Sequence, residues 1–278
     1  NDVLLIPGFQ GINSKNEITT LGRGGSDTSA VAVAASLDAE CIIYTDVDGV
    51  YTTDPNLVKN AKKISQISYE EMLELASQGA KVLQTRSVEL AMRKKTKLSV
   101  RSSIKTNSTG TLVTDENSKL ENNTVSGIAY SKDEAKITLS RVLDKPGVSS
   151  KIFSPLAKGN INVDMILQNV SQDGKYANLS FTLPRSDLEK ALKILKKEKL
   201  KIGYKRINSS NNISKISVIG VGMRSHAGVA QTLFETLGKS KINIQVITTS
   251  EIKISILIDE QFTDLAVQKL HKAYKLHL

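Results

Sequence analysis

The chain has 278 residues, enough for two ordinary domains, and its 40% apolar and 24% charged content is that of a globular protein. A single cysteine, Cys41, excludes a disulfide framework and points to a reducing compartment, so a cytoplasmic location is expected. No apolar run approaches the roughly 20 residues that span a bilayer, nothing resembles a signal peptide, and no membrane partner is expected. The net charge of +10 is spread out, and its densest cluster, Lys193 to Arg206, follows one helix with only Tyr204 nearby for stacking, so no nucleic-acid partner is expected.

Val3 to Ile6 reads as a short strand ended by Pro7-Gly8 and, with no Met before it, as one entered in mid-domain. Ile18 to Leu21 leads into Thr19 to Asp27, Thr-Thr-Leu-Gly-Arg-Gly-Gly-Ser-Asp, which runs straight into an apolar helix over Thr28 to Leu37. Gly22, Gly24 and Gly25 suit a tight turn or a close backbone approach, and Ser26 or Asp27 is placed to cap the helix. A glycine turn before a helix is by itself only a turn. With Arg23 and Asp27 beside it, the free N–H groups and positive dipole end make a candidate anion site.

Cys41 to Tyr44 is a second buried-type strand, opening into Thr45-Asp46-Val47-Asp48-Gly49-Val50-Tyr51-Thr52-Thr53-Asp54-Pro55. A calcium loop fails here, because Val50 falls at a ligand position and Gly49 comes too early, and no metal site is expected. Ser68-Tyr69-Glu70-Glu71 is a capping box opening a helix to Ser77, ended by Gly79. Val82 to Arg93 is a further helix, and Leu98 to Val100 and Thr111 to Val113 are short strands. This alternation predicts an α/β unit with a mostly parallel sheet flanked by helices, whose ligands sit beyond the strand ends.

Thr114 to Asn123 is polar and reads as a linker. Beyond it the chain repeats at a spacing of 81, with Gly147-Val148 matching Gly228-Val229, Phe153 matching Phe234, and Ile161-Asn162 matching Ile242-Asn243. Each copy reads βαββα, the frame of a ferredoxin-like α+β module. In the first copy Asp144 precedes Pro146-Gly147, while Asn162, Asp164 and Gln168 return to the same end. A carboxylate and amides at a helix start could hold a free amino acid, with Asp144 or Asp164 taking its ammonium. The second copy has Ser225 and Gln245 at those two aspartate positions, so it is not expected to bind the same ligand in the same way.

The motifs PGFQG (Pro7 to Gly11), TTLGRGGSDTSA (Thr19 to Ala30), YTDVDGVYTTDP (Tyr44 to Pro55), VRSS (Val100 to Ser103), LDKPGV (Leu143 to Val148), NINVDMILQN (Asn160 to Asn169) and TSEIKISILI (Thr249 to Ile258) together resemble the aspartate kinases over essentially the whole chain. The resemblance implies the C-terminal part of an amino acid kinase domain over 1–115, a linker over 116–124, and two regulatory ACT domains over 125–207 and 213–278, with strand exchange between them. It implies ATP with Mg2+ as cosubstrate, L-aspartate as acceptor, and the first step of lysine, threonine, methionine and diaminopimelate biosynthesis. Arg23, Gly24, Gly25 and Ser26 would bind aspartate and the transferred phosphoryl group, and Asp27 would organise the catalytic centre. Ser26, Thr45, Asp46, Tyr51, Thr52, Thr53, Asp54, Pro55, Asn56, Lys81 and Val82 would hold ATP.

The resemblance also implies an effector site for lysine, threonine or both, between the ACT domains of at least a dimer. It would use Asp144, Lys145, Pro146, Gly147, Val148, Ser149, Asn162, Val163, Asp164, Gln168, Val229, Ala230, Asn243, Ile244, Ser250 and Glu251. One departure is Ala227, where many relatives have proline. The family's lysine-glycine segment is not among these 278 residues, so the polypeptide as given is expected to lack activity that its parent has. The alternatives are a non-catalytic amino-acid-sensing subunit, against which the RGGSD and YTTDP motifs speak, and another amino acid kinase, against which the two ACT copies speak.

Overall fold

The computed structural model describes residues 3–78, 82–105, 107–117, 120 and 123–278. Two short strands, β1 (Gln10–Ile12) and β2 (Ile18–Thr20), form an antiparallel ribbon ahead of helix α1 (Gly25–Ser36). Val3 to Ile6 is not the expected strand: among the described residues no segment pairs with it, and its side chains are exposed. Then come β3 (Cys41–Thr45), β4 (Gln66–Ser68), α2 (Tyr69–Ser77), α3 (Thr85–Lys94), β5 (Leu98–Ser102) and β6 (Thr111–Thr114). The sheet runs β3-β5-β6-β4, with β3/β5 and β4/β6 parallel and β5/β6 antiparallel. Ile67, Met72, Leu75, Val88, Leu98, Val100 and Val113 fill the core under α1, α2 and α3. Helix α3 starts three residues after Val82, because Leu83 is buried in the core and Gln84 stays extended. Gly79, expected to end α2, lies outside the described residues.

The second half is one antiparallel six-stranded sheet. Its elements are β7 (Gly127–Leu143), α4 (Val148–Lys158), β8 (Ile166–Val170), β9 (Tyr176–Leu183), α5 (Leu188–Lys197), α6 (Lys199–Ile202), β10 (Arg206–Ile219), α7 (Val229–Lys239), β11 (Ile244–Thr249), β12 (Lys253–Asp259) and α8 (Thr263–Ala273). The strand order is β11-β12-β10-β7-β9-β8. Helices α4 and α7 begin and end at the repeat spacing read from the sequence.

Two cores lie under this sheet, and β7 and β10 each contribute to both. Ile137 and Leu139 of β7 pack with Ile152, Leu156, Phe181 and Leu195, whereas Ile128 of the same strand packs with Leu233, Leu237, Ile256 and Leu270. Likewise Ile207 of β10 lies against the first core, and Ile216 and Val218 lie in the second. The changeover coincides with slips in the β7–β10 register between Ser210 and Lys215. There Lys215 donates to Glu134 at 2.9 Å and to Asp164, with both members of the Lys215–Glu134 pair almost wholly buried.

Helix α2 ties the two halves together. The Ser68 hydroxyl accepts from Glu71 N and the Glu71 carboxylate accepts from Ser68 N, the expected capping box. Glu71 is fully buried, and its other oxygen takes Ser126 Oγ at 2.6 Å and Val221 N at 2.9 Å, both from the second half. Along the same helix Glu70 pairs with Arg224 at 2.7 Å and Glu74 with Lys253 at 2.8 Å. Leu120, within the expected linker, is buried with Val221 and Ile252.

Glu71→Ala would leave the Val221 N–H and the Ser126 hydroxyl unpaired in a buried setting and remove the carboxylate half of the capping box. It is expected to cost about 3 kcal/mol, read as a lower denaturation midpoint, with Glu71→Gln losing clearly less.

Candidate functional site

The glycine loop is built around Gly24, which caps α1 with φ 74° and offers no side chain. Ser26 and Asp27 therefore lie inside the first turn and are not its caps, contrary to the expectation, because the left-handed Gly24 starts the helix ahead of both. A Cβ on Gly24 would fall 2.0 Å from Gln84 Cγ, so both its conformation and its space demand glycine. Arg86 Nη2 donates to Leu21 O at 3.0 Å and to Arg23 O at 2.8 Å, fixing the loop from α3. The Arg23 side chain is exposed. Burial raises the carboxyl pKa of Asp27 above its ordinary value, and Asp27 in turn adds to the upward push that burial exerts on the Cys41 thiol. The N-terminal N–H groups of α1, an exposed guanidinium and a half-buried carboxyl thus share one loop, a donor set suited to an anion and its counter-charges.

A cavity of about 850 Å³ opens beyond the C-terminal end of β3. Thr45, Asp46, Tyr51, Thr53, Asp54, Pro55, Asn56 and Val82 of the expected nucleotide residues line it. The Tyr51 hydroxyl donates to Asp48 at 2.7 Å, and this bond, ahead of Lys105 and Lys63, lowers the Asp48 carboxyl pKa. Asp54 accepts from Asn56 N at 2.8 Å and from the Tyr130 hydroxyl at 3.1 Å. Burial, then Asp54, pushes Tyr130 up to about 12. The Thr53 hydroxyl is buried without a hydrogen-bond partner among the described residues, though Thr53 lines the cavity. A cavity of this size lined by carboxylates, hydroxyls and an amide is a place for a polar ligand.

Thr52 turns the other way: its hydroxyl meets His271 Nε2 at 2.9 Å and accepts from Lys62 N at 3.1 Å. Burial lowers the pKa of His271, which sits on α8. Ser26 does not line the cavity, and Lys81 lies outside the described residues.

The expected effector residues fall into two groups. In the first repeat Asp144, Lys145, Pro146 and Gly147 form the exposed loop before α4, with Gly147 at φ 84°, while Val148 is buried and Ser149 exposed. Gln168 Nε2 donates to Asp144 Oδ1 at 3.2 Å, so the loop and β8 do converge. Asn162 is exposed beside half-buried Val163. Asp164 reaches instead to Lys215. Burial disfavours the Lys215 charge, but Glu134 and Asp164 outweigh it and raise the ammonium pKa. In the second repeat Lys136 donates at 2.7 Å to Gln245, the amide counterpart of Asp164. Val229, Ala230 and Ile244 pack around α7, and exposed Asn243 precedes β11. Ser250 and Glu251 form the β11–β12 turn, where Glu251 meets Arg224 at 3.3 Å. Sequence reasoning missed Arg86, Lys105 and residues 129–133 of β7 at these sites; they carry no local motif.

Among the described residues no helix is long and apolar enough to cross a membrane. Residues 1–102 match the amino acid kinase family, and residues 140–198 and 216–274 each match the ACT domain. The chain is 51% identical over 277 residues to the aspartokinase of Pseudomonas aeruginosa, covering 99% of this chain and 67% of that protein. The crystal structure of E. coli aspartokinase III with aspartate and ADP is similar at TM-score 0.80 and 30% identity, over 96% of this chain and 59% of that one. Its complex with lysine and aspartate gives TM-score 0.75 at 30% identity, over 95% and 58%. The chain thus spans about two thirds of the curated relative's length.

Because burial raises the folded pKa of Asp27 above the unfolded value of 3.8, its stabilising contribution is complete below that value and is lost as pH rises through the folded pKa. Asp27→Asn is therefore expected to raise the melting temperature at neutral pH, with the gain shrinking to nothing near pH 3 in thermal scans across pH.

Proposed function

The chain belongs to the aspartate kinase family, and from that premise we propose that the full-length protein transfers the γ-phosphoryl group of MgATP to the side-chain carboxylate of L-aspartate. The product is 4-phospho-L-aspartate, which opens the route to lysine, threonine, methionine and diaminopimelate. The cavity beyond β3, which brings Thr45, Asp46, Tyr51, Asp54 and Asn56 to one lining, is the observation that carries the nucleotide half of this reading. The E. coli relative in complex with aspartate and ADP supports both substrates.

Bound MgATP supplies the phosphoryl group and part of the neutralising charge. Phosphoryl transfer asks the protein chiefly for in-line positioning and charge neutralisation. Arg23 offers an exposed two-pronged donor suited to the carboxylates of aspartate. Gly24, Gly25 and Ser26 bring the positive dipole end of α1 to the transferring group. Asp27, whose charge is disfavoured by burial, gains from any cation brought beside it and so organises the centre. Tyr51, Asp54 and Asn56 hold the nucleoside side, with Thr45 and Asp46 at the end of β3.

The regulatory half is proposed to bind lysine, threonine or both. Asp144 and Gln168 take the first position, since Asp164 is engaged by Lys215. The E. coli complex with lysine supports an amino-acid effector. Assembly of at least a dimer through the ACT sheets is supported by edge strands that leave Ile166, Leu167, Val170 and Ile247 exposed. Two sheet units drawn by core, with β7 and β10 shared, serve better as domains than any cut in sequence.

In the full-length enzyme, phosphoaspartate trapped with hydroxylamine should form from L-aspartate and not from L-glutamate; the reverse preference would refute the substrate. Asn56→Ala should raise KM for ATP about tenfold, a lost hydrogen bond of ~1.4 kcal/mol, with KM for aspartate unmoved. Asp144→Ala should raise the inhibitory concentration of the natural effector at least about tenfold, and unchanged inhibition would remove Asp144 from the effector site.

A further inference from the structure

The cavity beyond β3 is walled on one side by the regulatory sheet: Tyr130, Ser131, Lys132 and Asp133 of β7 line it together with the kinase loops. We propose that this stretch of β7 is part of the nucleotide site, with Lys132 a nucleotide-positioning residue whose availability is set by Asp264 on α8. The inference rests on the nucleotide reading of the cavity and extends it to a strand outside the kinase sheet.

Charge is the first argument. The described lining carries Asp46, Asp48, Asp54 and Asp133 against Lys105 and Lys132, so the cavity is acidic while a nucleotide brings further negative charge. Lys105 already leans on a carboxylate of the lining, Asp48, at 3.7 Å. Lys132 instead pairs at 2.9 Å with Asp264, which is not part of the lining. Turning Lys132 inward therefore brings a cation to the ligand without breaking a pair inside the cavity.

The present pair is also a weak competitor. The side chains of Lys132 and Asp264 are 42% and 56% exposed, the class of ion pair that contributes little. Asp264 sits in the first turn of α8, where the helix dipole stabilises a carboxylate that has given up its lysine. A phosphate group is the stronger partner for an ammonium.

Helix α8 is the element that makes the exchange regulatory. Besides Asp264, it carries His271 on Thr52, and Gln268 on Leu57 O at 3.3 Å, so one helix holds both the loop that lines the cavity and the lysine that can enter it. Glu134, on the same strand just after the cavity wall, is paired with Lys215 and through it joined to Asp164. A shift of the effector loop or of α8 thus reaches the nucleotide directly through β7.

The test is ADP titration and steady-state kinetics of the full-length enzyme carrying Lys132→Met or Asp264→Asn, each checked for an unchanged fold by circular dichroism. Lys132→Met should weaken ADP binding and raise KM for ATP about fivefold, with KM for aspartate unchanged, whereas Asp264→Asn, by freeing Lys132, should tighten ADP about twofold. A pair that only fastens α8 to β7 would give both variants the same sign, and that result, or no change in either, would overturn the proposal. Asp46→Ala separates the premises. Weaker ADP binding in Asp46→Ala alone would remove Lys132 and leave the nucleotide cavity standing. No change in Asp46→Ala or Lys132→Met would remove both.

Discussion

The antiparallel pairing of β7 with β10, running from Gly127–Ile219 to Arg206–Ser140, is the ladder on which both repeats are built. Neither repeat can complete its sheet without the strand that opens the other, because Ile128 and Ile137 of one strand serve different cores. Such sharing forces a change of register partway along, and the structure places it where Lys215, Glu134 and Asp164 meet. Taking a lysine and a carboxylate out of water is costly unless each is paired, so this cluster tolerates one arrangement of the strands and disfavours slipped ones.

That ladder also fixes the kinase half. The β7 end that belongs to the second core turns its remaining residues toward the kinase, with Ala129 and Ile219 in the kinase core and Ser126 on the Glu71 carboxylate. The loop after β3 is then held from the regulatory side, through Ile128 N to Thr52 O at 2.8 Å, Tyr130 to Asp54, and His271 to Thr52. From the kinase side the same loop is held by residues 62–64, by Val50 N donating to Thr111 Oγ1 at 2.8 Å and by Lys105 on Asp48, so its shape is set by both halves together. Coupling between the halves is thereby a matter of shared packing, with no separate hinge needed to carry it.

Local signals were the legible ones. The Ser68–Glu71 capping box and the repeat seen in α4 and α7 are carried by the sequence itself and stand in the structure as read. The strand at Cys41 forms but is not the buried one expected, because it lies at the sheet edge with Ile42 and Tyr44 exposed. The cap of α1 was misassigned because Ser26 and Asp27 have the right chemistry, while the reason for Gly24, a clash with Gln84, comes from a segment 60 residues away. Val3 to Ile6 has strand composition, but pairing is decided by neighbours that composition does not name. The pairing of Asp164 with Lys215 and the β7 wall of the cavity were hidden for the same reason, since both depend on strand partners and register that no motif records.

The shared strand has a consequence for the order in which the protein can fold as it leaves the ribosome. Gly127 to Ser131 emerges long before its partner, Lys215 to Ile219, and before the helices that will cover Ile128. At the usual ~5–20 residues per second, that stretch waits on the order of ten seconds as an open edge. An unpaired apolar edge of this kind is the situation in which nascent chains on one messenger pair with each other. The polar run Ser131-Lys132-Asp133-Glu134 interrupts the apolar pattern in the middle of β7 and guards the waiting strand, so the residues that later wall the cavity first serve to keep newly made chains apart.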